Sequence, residues 1–325
     1  MTVASPFAES VDLTLTDAER EEVLELAQSL VCSPPAAVDG GEWISQVRRI
    51  SCRLPLRVRE AVRDFRTDSG VDGSLLLRNL PLDEMQLPDT PAVPESVERT
   101  AAVPAAVVSL VSLQLGEVVA YEKEKSGALI QNVVPVPGRE GSQSNAGSEL
   151  LELHGENVFH PHRPDFVALF CLRTDHTASV GTPVSSIRRA LAHLPEEARE
   201  VLLQPRFVTQ PPASFHAGAE TAPHPLLEGD GADPNVRVDF CATVPLDDEA
   251  KAAMEKLHEA FLEVPGTVVL QPGELVFVDN RLAVHGRTQF MPRYDGRDRW
   301  LHRMFVQLDS RRSRGHRPGG GSVLV

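Results

Sequence analysis

Residues 151–165 read LELHGENVFHPHRPD and contain the triplet His154-Gly155-Glu156. In an extended segment, side chains two residues apart project from the same face, so this imidazole and this carboxylate can bind one metal ion together. A third ligand must then come from elsewhere in the chain, and His285, in VDNRLAVHGRTQF (residues 278–290), is the best candidate. Two histidines and one carboxylate on one face of an octahedron are typical of non-haem Fe(II) oxygenases.

The triplet alone is weak support for a metal site. The chain has 11 histidines and 46 acidic residues among 325, so a His-x-Glu sequence arises easily by chance. The alternative is that His154 is a surface or capping residue, and the structural context must decide between the two.

The composition, with 42% hydrophobic and 24% charged residues, is typical of a soluble globular protein. The net charge of −14 argues against binding to nucleic acid or to an anionic membrane surface. Residues 1–11 lack the basic start and apolar run of a signal peptide, and no apolar stretch is long enough to span a bilayer. The four cysteines form no CxxC pair. We therefore expect a cytoplasmic protein.

The first 120 residues are expected to form a mainly helical region. Thr16 and Glu19 form a capping box that predicts a helix over residues 16–31. Further helices are predicted at residues 43–52, 56–65 and 101–115, and a strand at residues 74–78. Gly116 is a good stop signal for the last of these helices.

Beyond residue 120 the pattern changes to short apolar runs separated by Pro, Gly and Asp, which is typical of an all-β sandwich or barrel. Strands are predicted at residues 129–136, 150–153, 166–172, 237–243, 267–270, 275–278 and 300–306, and helices at residues 195–203 and 247–262. The long connection at residues 210–233, which carries His216 and His224, is predicted to be a lid. Residues 310–325, rich in Arg, Ser and Gly, are predicted to be a flexible tail.

Arg299 follows His285 by fourteen residues, in the run DGRDRWLHRMFV. An oxygenase of this type needs a second organic acid, and a planar guanidinium group can bind the remote carboxylate of that acid in bidentate fashion. The alternative is a surface ion pair, because Arg293, Arg297 and Arg303 lie nearby in the sequence. Spacing alone does not decide which arginine has which role.

Three blocks of sequence resemble the clavaminate synthase-like family of Fe(II)/2-oxoglutarate oxygenases. They are NAGSELLELHGENVFHPHRPDFVALFCLR, RVDFCAT and PGELVFVDNRLAVHGRTQFMPRYDGRDRWLHRMFV. Within the family, the free-amino-acid β-hydroxylases of nonribosomal-peptide pathways are most similar, and the asparagine 3-hydroxylase type looks closest. The resemblance runs from about Asp12 to Arg317.

The resemblance implies an α+β fold with a double-stranded β-helix core, also called a jelly-roll or cupin-like core. Residues 1–325 would form one oxygenase domain, with the core at residues 121–309 and the helices of residues 1–120 packed around it. The reaction implied is hydroxylation at C3 of a free polar L-amino acid, with Fe(II), 2-oxoglutarate and O₂. No nucleic acid or membrane partner is expected, and the oligomeric state stays open.

The family's motifs also imply a role for each matching residue. His154, Glu156 and His285 would bind iron. Arg299 and Thr182 would bind 2-oxoglutarate. The residues that match the family's contacts to the amino acid are Arg303, for the α-carboxylate, Glu124 and Asn145, for other polar groups, and Asp239, for a side-chain amide or cation.

Simple physical arguments support some of these roles. On a strand, Arg299 and Arg303 would share a face, and two buried cations need two anions. Asp239 lies in an otherwise apolar predicted strand, where an unpaired carboxylate is costly; the alternative is an internal salt bridge. Relatives commonly have a larger polar residue in place of Gly155, and glycine is expected to loosen the backbone beside the metal.

Several alternatives stay open from the sequence. The substrate could be asparagine, glutamine, citrulline, arginine, lysine or a cyclic imino acid, and C4 hydroxylation or desaturation would use the same metal ligands. A jelly-roll binding protein without catalysis, or a cupin-like isomerase or hydrolase, would have a similar fold. Neither of these would need Arg299.

Overall fold

The first third of the chain is mainly helical, as expected. The structure is a computed structural model that describes residues 12–32, 37–212, 215 and 220–325. Its helices here are α1 (Asp17–Val31), α2 (Gly41–Ser51), α3 (Leu56–Thr67) and α4 (Val103–Leu115). The capping box of α1 is present: the Glu19 N–H donates to Thr16 Oγ1 at 3.2 Å, and the Thr16 N–H donates to Glu19 Oε2 at 2.8 Å. The predictions for these four helices are confirmed.

The rest of the chain is built mainly from short strands, and four further strands lie before, between or directly after these helices. In chain order they are β1 (Leu13–Thr14), β2 (Ser74–Arg78), β3 (Val97–Glu98), β4 (Glu117–Tyr121), β5 (Ile130–Val133), β6 (Leu151–His154), β7 (Phe166–Arg173), β8 (Thr182–Ser186), β9 (Phe207–Thr209), β10 (Leu227–Asp230), β11 (Asp233–Val236), β12 (Thr243–Pro245), β13 (Gly266–Val268), β14 (Leu275–Asp279), β15 (Ala283–Arg287), β16 (Trp300–Gln307) and β17 (Val323–Leu324). Three more helices are α5 (Ile187–Ala190), α6 (Glu196–Leu202) and α7 (Asp248–Leu262).

Two sheets face each other across an apolar interior. The larger has the strand order β1-β2-β14-β7-β16-β4-β17, with β5 paired to β16 and β3 to β5; the smaller has the order β13-β8-β15-β6. Side chains of both sheets meet between them, for example Val184 of β8, Ala283 of β15 and Phe305 of β16. The other face of the larger sheet packs on α1–α4, and α5–α7 cover the smaller sheet. The predicted α+β fold with a jelly-roll core is confirmed.

One predicted strand is wrong in a way that matters for the site. Residues 237–242 do not form a strand, and only Thr243–Pro245 do. The cause is local, because Asp239 Oδ1 accepts the backbone N–H groups of Cys241 and Ala242 at 2.9 and 3.2 Å. A side chain that bonds its own backbone two residues on closes a turn instead of continuing a strand.

The end of the chain also differs from the expected flexible tail. Val323 and Leu324 form β17, which pairs in parallel with β4, and Leu324 is buried. The apolar residues after the glycines supply the side chains that anchor this segment. The expected single domain of residues 1–325 stays a prediction. No helix in the described ranges combines the length and the apolarity needed to cross a bilayer.

His302 generates a prediction about stability and pH. It lies in β16 at 1% exposure, neither ring nitrogen has a hydrogen-bond partner among the described residues, and burial lowers its pKa to about 3. Histidine in an unfolded chain titrates near pH ~6.5, so the unfolded state takes up the proton first as the pH falls. This residue should therefore cost about 1.4 kcal/mol of stability for each pH unit below that value, until the pH nears 3.

The measurement is the free energy of unfolding in urea at pH 7, 6 and 5. His302→Phe should lose less stability than the parent between pH 7 and pH 5. Replacement of the exposed His193 by Gln is the control and should leave the pH dependence of the parent unchanged. Equal pH dependence of the parent and His302→Phe would contradict the prediction.

Candidate active site

The structure brings together the three predicted metal ligands. His154 ends β6 and His285 lies directly opposite it in β15, with ring centroids 4.6 Å apart. Glu156 follows His154 by two residues, in the turn after the strand. The three side chains each offer one ligand atom, and these atoms all lie within 4.8 Å of one another. Antiparallel pairing therefore joins two segments that are far apart in the sequence.

The two imidazoles are in a suitable state to bind a metal ion. Nδ1 of His154 lies 2.8 Å from the Glu152 carbonyl oxygen, so it donates a proton there and leaves Nε2 with a free lone pair. Nδ1 of His285 is buried without a hydrogen-bond partner among the described residues. Burial, and then the neighbouring His154, lowers the pKa of His285 to about 3. A neutral imidazole with an unsatisfied nitrogen beside a carboxylate fits a divalent metal ion.

The backbone beside the ligands is held more firmly than Gly155 led us to expect. The Gly155 N–H donates to the Val238 carbonyl oxygen at 2.8 Å. A Cβ atom on Gly155 would lie 2.7 Å from Cγ1 of Val158 and 3.3 Å from the Val238 oxygen. A side chain here would therefore require Val158 and the adjacent backbone to shift, and the backbone hydrogen bond limits the freedom of Gly155.

Arg303 connects the metal ligands to the predicted substrate-binding residues. It is 5% exposed in β16, and its Nη1 donates to Glu156 Oε2 at 2.8 Å and to Asn145 Oδ1 at 3.3 Å. Its Nη2 donates to Glu124 Oε1 and to Gln131 Oε1. Only Nε lacks a partner among the described residues. This guanidinium group therefore organises two carboxylates and two amides.

The two carboxylates that contact Arg303 respond differently to their surroundings. Burial by itself would raise the pKa of Glu156, but the charge and the hydrogen bond of Arg303 act against it, and the pKa lies below its usual value. Burial raises the pKa of Glu124, although Arg303 acts in the opposite direction. Asn157 adds a hydrogen bond to Glu124 Oε2 at 3.0 Å. Glu156 is accordingly the charged ligand, and Glu124 would gain from a further cation.

Arg299 contacts Thr182, which lies in β8, the neighbour of the strand that carries His285. Nη2 of Arg299 donates to Thr182 Oγ1 at 3.4 Å, and both side chains are buried. No carboxylate of the described residues lies within ion-pair distance of Arg299, and burial lowers its pKa. A buried cation without an anion is costly, so this position suits an anionic ligand.

Asp239 lies beside the metal ligands, although not on a strand. A β-bridge pairs it with His154. Its Oδ1 already accepts two backbone N–H groups of the turn, and its Oδ2 accepts no hydrogen bond from a described residue. The alternative of an internal salt bridge is not observed in the described part of the chain. Asp239 therefore offers one free acceptor.

Asn145 offers a donor. Its Oδ1 accepts from Arg303, and its Nδ2 has no hydrogen bond to a described residue. The loop that carries it is fixed to β15, because Arg287 donates to the carbonyl oxygens of Ser144 and Glu149 at 3.3 and 3.0 Å. His285 and Asn145 are thus positioned from the same strand.

A cavity of about 500 Å³ lies beside the three predicted metal ligands. Six predicted site residues line it, namely Glu124, Asn145, His154, Glu156, Asp239 and Arg303; Thr182, His285 and Arg299 lie outside this lining. The volume suits a small ligand held by a few polar groups.

The start of the predicted lid borders the cavity. Gln210, Pro211, Pro212 and Phe215 line it, and Phe215 packs on Tyr121 and Phe159. His216 lies outside the described residues. His224 is buried away from the cavity lining, where its Nε2 bonds to Thr209 Oγ1 at 2.9 Å. His224 therefore has a structural role in holding β9.

The sequence did not single out Gln131 or Asn280. Gln131 is a buried cross-strand neighbour of Arg303, and Asn280 bonds to the backbone of Glu156. A signal was available in both cases, because a buried amide in an apolar run such as LIQNVV or VDNRLAV needs hydrogen-bond partners. The identity of those partners depends on the tertiary fold.

Comparisons with known proteins agree with this geometry. Residues 72–305 match the taurine catabolism dioxygenase TauD, TfdA family. L-asparagine oxygenase of Streptomyces coelicolor is 48% identical over 318 residues, which cover 98% of this chain and 96% of the relative. Clavaminate synthase 2 of Streptomyces clavuligerus is 35% identical over 295 residues, which cover 89% of this chain and 90% of the relative.

A solved structure is similar over almost the same length. Asparagine oxygenase in complex with Fe(II), 2S,3S-3-hydroxyasparagine and succinate superimposes with a TM-score of 0.94 at 48% identity. The match covers 96% of this chain and 98% of that chain. The resemblance inferred from the sequence blocks is confirmed.

The ligand geometry predicts a selective loss of metal binding. His154→Ala should weaken the binding of Co(II), a stable substitute for Fe(II), by at least about 100-fold, since even changes behind the ligands cost about 10- to 100-fold. His162→Ala is the matched control, because His162 belongs to the same segment but not to the cluster. Calorimetric titration measures both affinities, and similar affinities of the two variants would contradict the assignment.

Proposed function

The chain belongs to the taurine catabolism dioxygenase TauD, TfdA family, and on that premise we propose that it hydroxylates C3 of free L-asparagine. It is an Fe(II)- and 2-oxoglutarate-dependent dioxygenase. The observation that carries the choice of substrate is the cavity beside the metal ligands, which presents Arg303 with Glu124 and, separately, the free acceptor of Asp239 and the free donor of Asn145.

His154, Glu156 and His285 would hold Fe(II). When bound, the metal supplies activation of O₂, coupled to decarboxylation of 2-oxoglutarate to succinate and CO₂. Arg299 would bind the distal carboxylate of 2-oxoglutarate in bidentate fashion. Thr182 accepts a hydrogen bond from Arg299, so its own hydroxyl proton stays available to donate to the same carboxylate.

Arg303 and Glu124 would bind the α-carboxylate and the α-ammonium group of the amino acid. The two residues already form a buried ion pair. A zwitterionic amino acid can replace the direct contact between these two side chains. Its carboxylate would bind Arg303 and its ammonium group would bind Glu124, and the net charge would not change. The raised pKa of Glu124 supports this, because burial leaves that carboxylate short of cationic partners.

Asp239 and Asn145 would bind the side-chain amide. A primary carboxamide has an NH₂ group that can donate to Asp239 Oδ2 and a carbonyl oxygen that can accept from Asn145 Nδ2. Lysine and arginine side chains only donate, so they would leave the Asn145 donor without an acceptor. Glutamine and citrulline carry similar groups on longer chains and are the main rivals. The difference between a side-chain amide and a side-chain cation favours asparagine over lysine and arginine.

The wider setting is part of the same proposal. We infer a free amino acid as substrate, a cytoplasmic location and a role in supplying a nonribosomal peptide or another secondary metabolite. A binding protein without catalysis is the rival from another class. It would need neither the metal ligands nor the unpaired cation at Arg299.

The test is turnover of a panel of free L-amino acids by the Fe(II)-loaded protein with 2-oxoglutarate and O₂. We expect succinate and an equal amount of a product one oxygen heavier with L-asparagine, and lower turnover with L-glutamine, L-citrulline, L-arginine and L-lysine. Nuclear magnetic resonance of the product should place the hydroxyl group on C3. Preferred turnover of a cationic amino acid would refute the choice of substrate, and no succinate with any member would refute the function.

Arg299→Ala should separate cosubstrate binding from metal binding. Its affinity for Co(II) should stay within about twofold of the parent, whereas its KM for 2-oxoglutarate should rise by at least about 10-fold, since a hydrogen bond to a charged group contributes about 1.5–3 kcal/mol. Arg297→Ala is the matched control, because Arg297 is exposed two residues away. An unchanged KM in Arg299→Ala would contradict this assignment.

A further inference from the structure

We propose that Asn280 is a positioning residue that holds the backbone of Glu156 in a fixed position relative to His285. This role rests on the proposed metal site. Asn280 lies outside the cavity lining and contacts none of the groups proposed to bind the amino acid, so it would act through the metal ligand alone.

The side chain of Asn280 uses its whole amide group on the segment that carries Glu156. It is fully buried, and its Oδ1 accepts the Glu156 N–H at 2.7 Å. Its Nδ2 donates to the Glu156 carbonyl oxygen and to the Pro164 carbonyl oxygen, each at 2.9 Å. Both peptide groups that flank the Glu156 Cα atom are thereby held by one side chain, as a neighbouring strand would hold them.

Glu156 needs such support because no strand supplies it. β6 ends at His154, and the residue after Glu156, Asn157, has a φ of 50°, in the left-handed region. The backbone N–H and carbonyl groups of Glu156 have no backbone partners among the described residues, so Asn280 alone satisfies them. Without it, two buried polar groups would lose their hydrogen bonds, and the turn would lose the contact that sets its position.

Asn280 lies in the turn directly before the strand that carries His285. Asn280 lies between β14 and β15, and His285 follows five residues later in β15. The turn itself is fixed, because Asp279 Oδ1 accepts the N–H groups of Arg281 and Leu282 at 2.8 and 3.3 Å. The Asn280 N–H also donates to the Asp165 carbonyl oxygen at 2.8 Å. Because this turn is rigid, the hydrogen bonds of the Asn280 side chain hold Glu156 in a fixed position relative to it.

The turn also supports the segment that leads to Asp239. The Val236 N–H donates to the Arg281 carbonyl oxygen at 2.6 Å. Nη1 of the buried Arg163 donates to the carbonyl oxygens of both Val236 and Asn280, at 2.8 and 3.4 Å. The positions of Glu156, His285 and the segment before Asp239 therefore all depend on this one turn.

The consequence is measurable without turnover. Asn280→Ala should weaken Co(II) binding by about 10- to 100-fold, as expected when the partner of a metal ligand is removed. It should also change the absorption spectrum of bound Co(II), which depends on the number and arrangement of the protein ligands. Asn280→Ser is a milder variant, because a hydroxyl group replaces at most one of the three hydrogen bonds, and it serves if the alanine variant does not fold.

Asn132→Ala is the matched control. Asn132 is also a buried amide with two side-chain hydrogen bonds, to Ser96 Oγ at 2.9 Å and from Trp300 Nε1 at 2.7 Å, and it contacts no metal ligand. Both substitutions should lower the stability of the protein. Only the Asn280 variants should lower the Co(II) affinity, and Asn132→Ala should keep the affinity and the spectrum of the parent.

The outcomes separate this inference from the proposed function. If the parent binds Co(II) and the folded Asn280 variants bind it within twofold of the parent, the role of Asn280 is overturned while the metal site stands. If His154→Ala binds Co(II) as tightly as the parent, the metal site itself is wrong and this inference fails with it. Selective loss in the Asn280 variants, with an altered Co(II) spectrum, supports the proposal.

Discussion

The buried ion pair between Arg303 and Glu156 joins the metal side of the site to the substrate side. Nη1 of Arg303 lies 2.8 Å from Oε2 of Glu156 inside the jelly-roll, and because both residues are more than nine-tenths buried, water stabilises their charges less than at the surface. Each residue therefore depends on the other and on the groups around it. Glu124 supplies Arg303 with a second anion, and Gln131 and Asn145 accept hydrogen bonds from its other two Nη–H groups. Much of the polar arrangement of the interior follows from this pair.

Charge balance explains why the two arginines of the interior differ. Arg303 is surrounded by acceptors, whereas among the described residues Arg299 bonds only to the hydroxyl group of Thr182. In the proposed complex, the metal dication, the Glu156 carboxylate, the 2-oxoglutarate dianion and Arg299 sum to zero. Arg303, Glu124 and a zwitterionic amino acid also sum to zero. Each ligand thus adds no net charge to its own group, and the Asp239 carboxylate, which belongs to neither sum, would accept a hydrogen bond from the side-chain NH₂ group.

The sequence predicted features that depend on neighbours in the chain better than those that depend on the fold. The helix at Thr16 and the pairing of His154 with Glu156 follow from local spacing, and both are observed. The apolar run around Asp239 predicts a strand, but the turn that the Asp239 side chain forms with its own backbone prevents one. Asn280 was missed because its partner Glu156 lies 124 residues earlier, and only the fold brings the two together. Local spacing therefore predicts that His154 and Glu156 lie together, but not which residues hold them in place.

The most direct test is a crystal structure of the protein with Fe(II), 2-oxoglutarate and L-asparagine, prepared without oxygen. We expect the α-carboxylate on Arg303, the carboxamide between Asn145 and Asp239, and the distal carboxylate of 2-oxoglutarate on Arg299. C3 should be the substrate carbon nearest to the metal. Another carbon nearest to the metal, or an Arg299 side chain without a carboxylate, would contradict the charge balance and the proposed reaction.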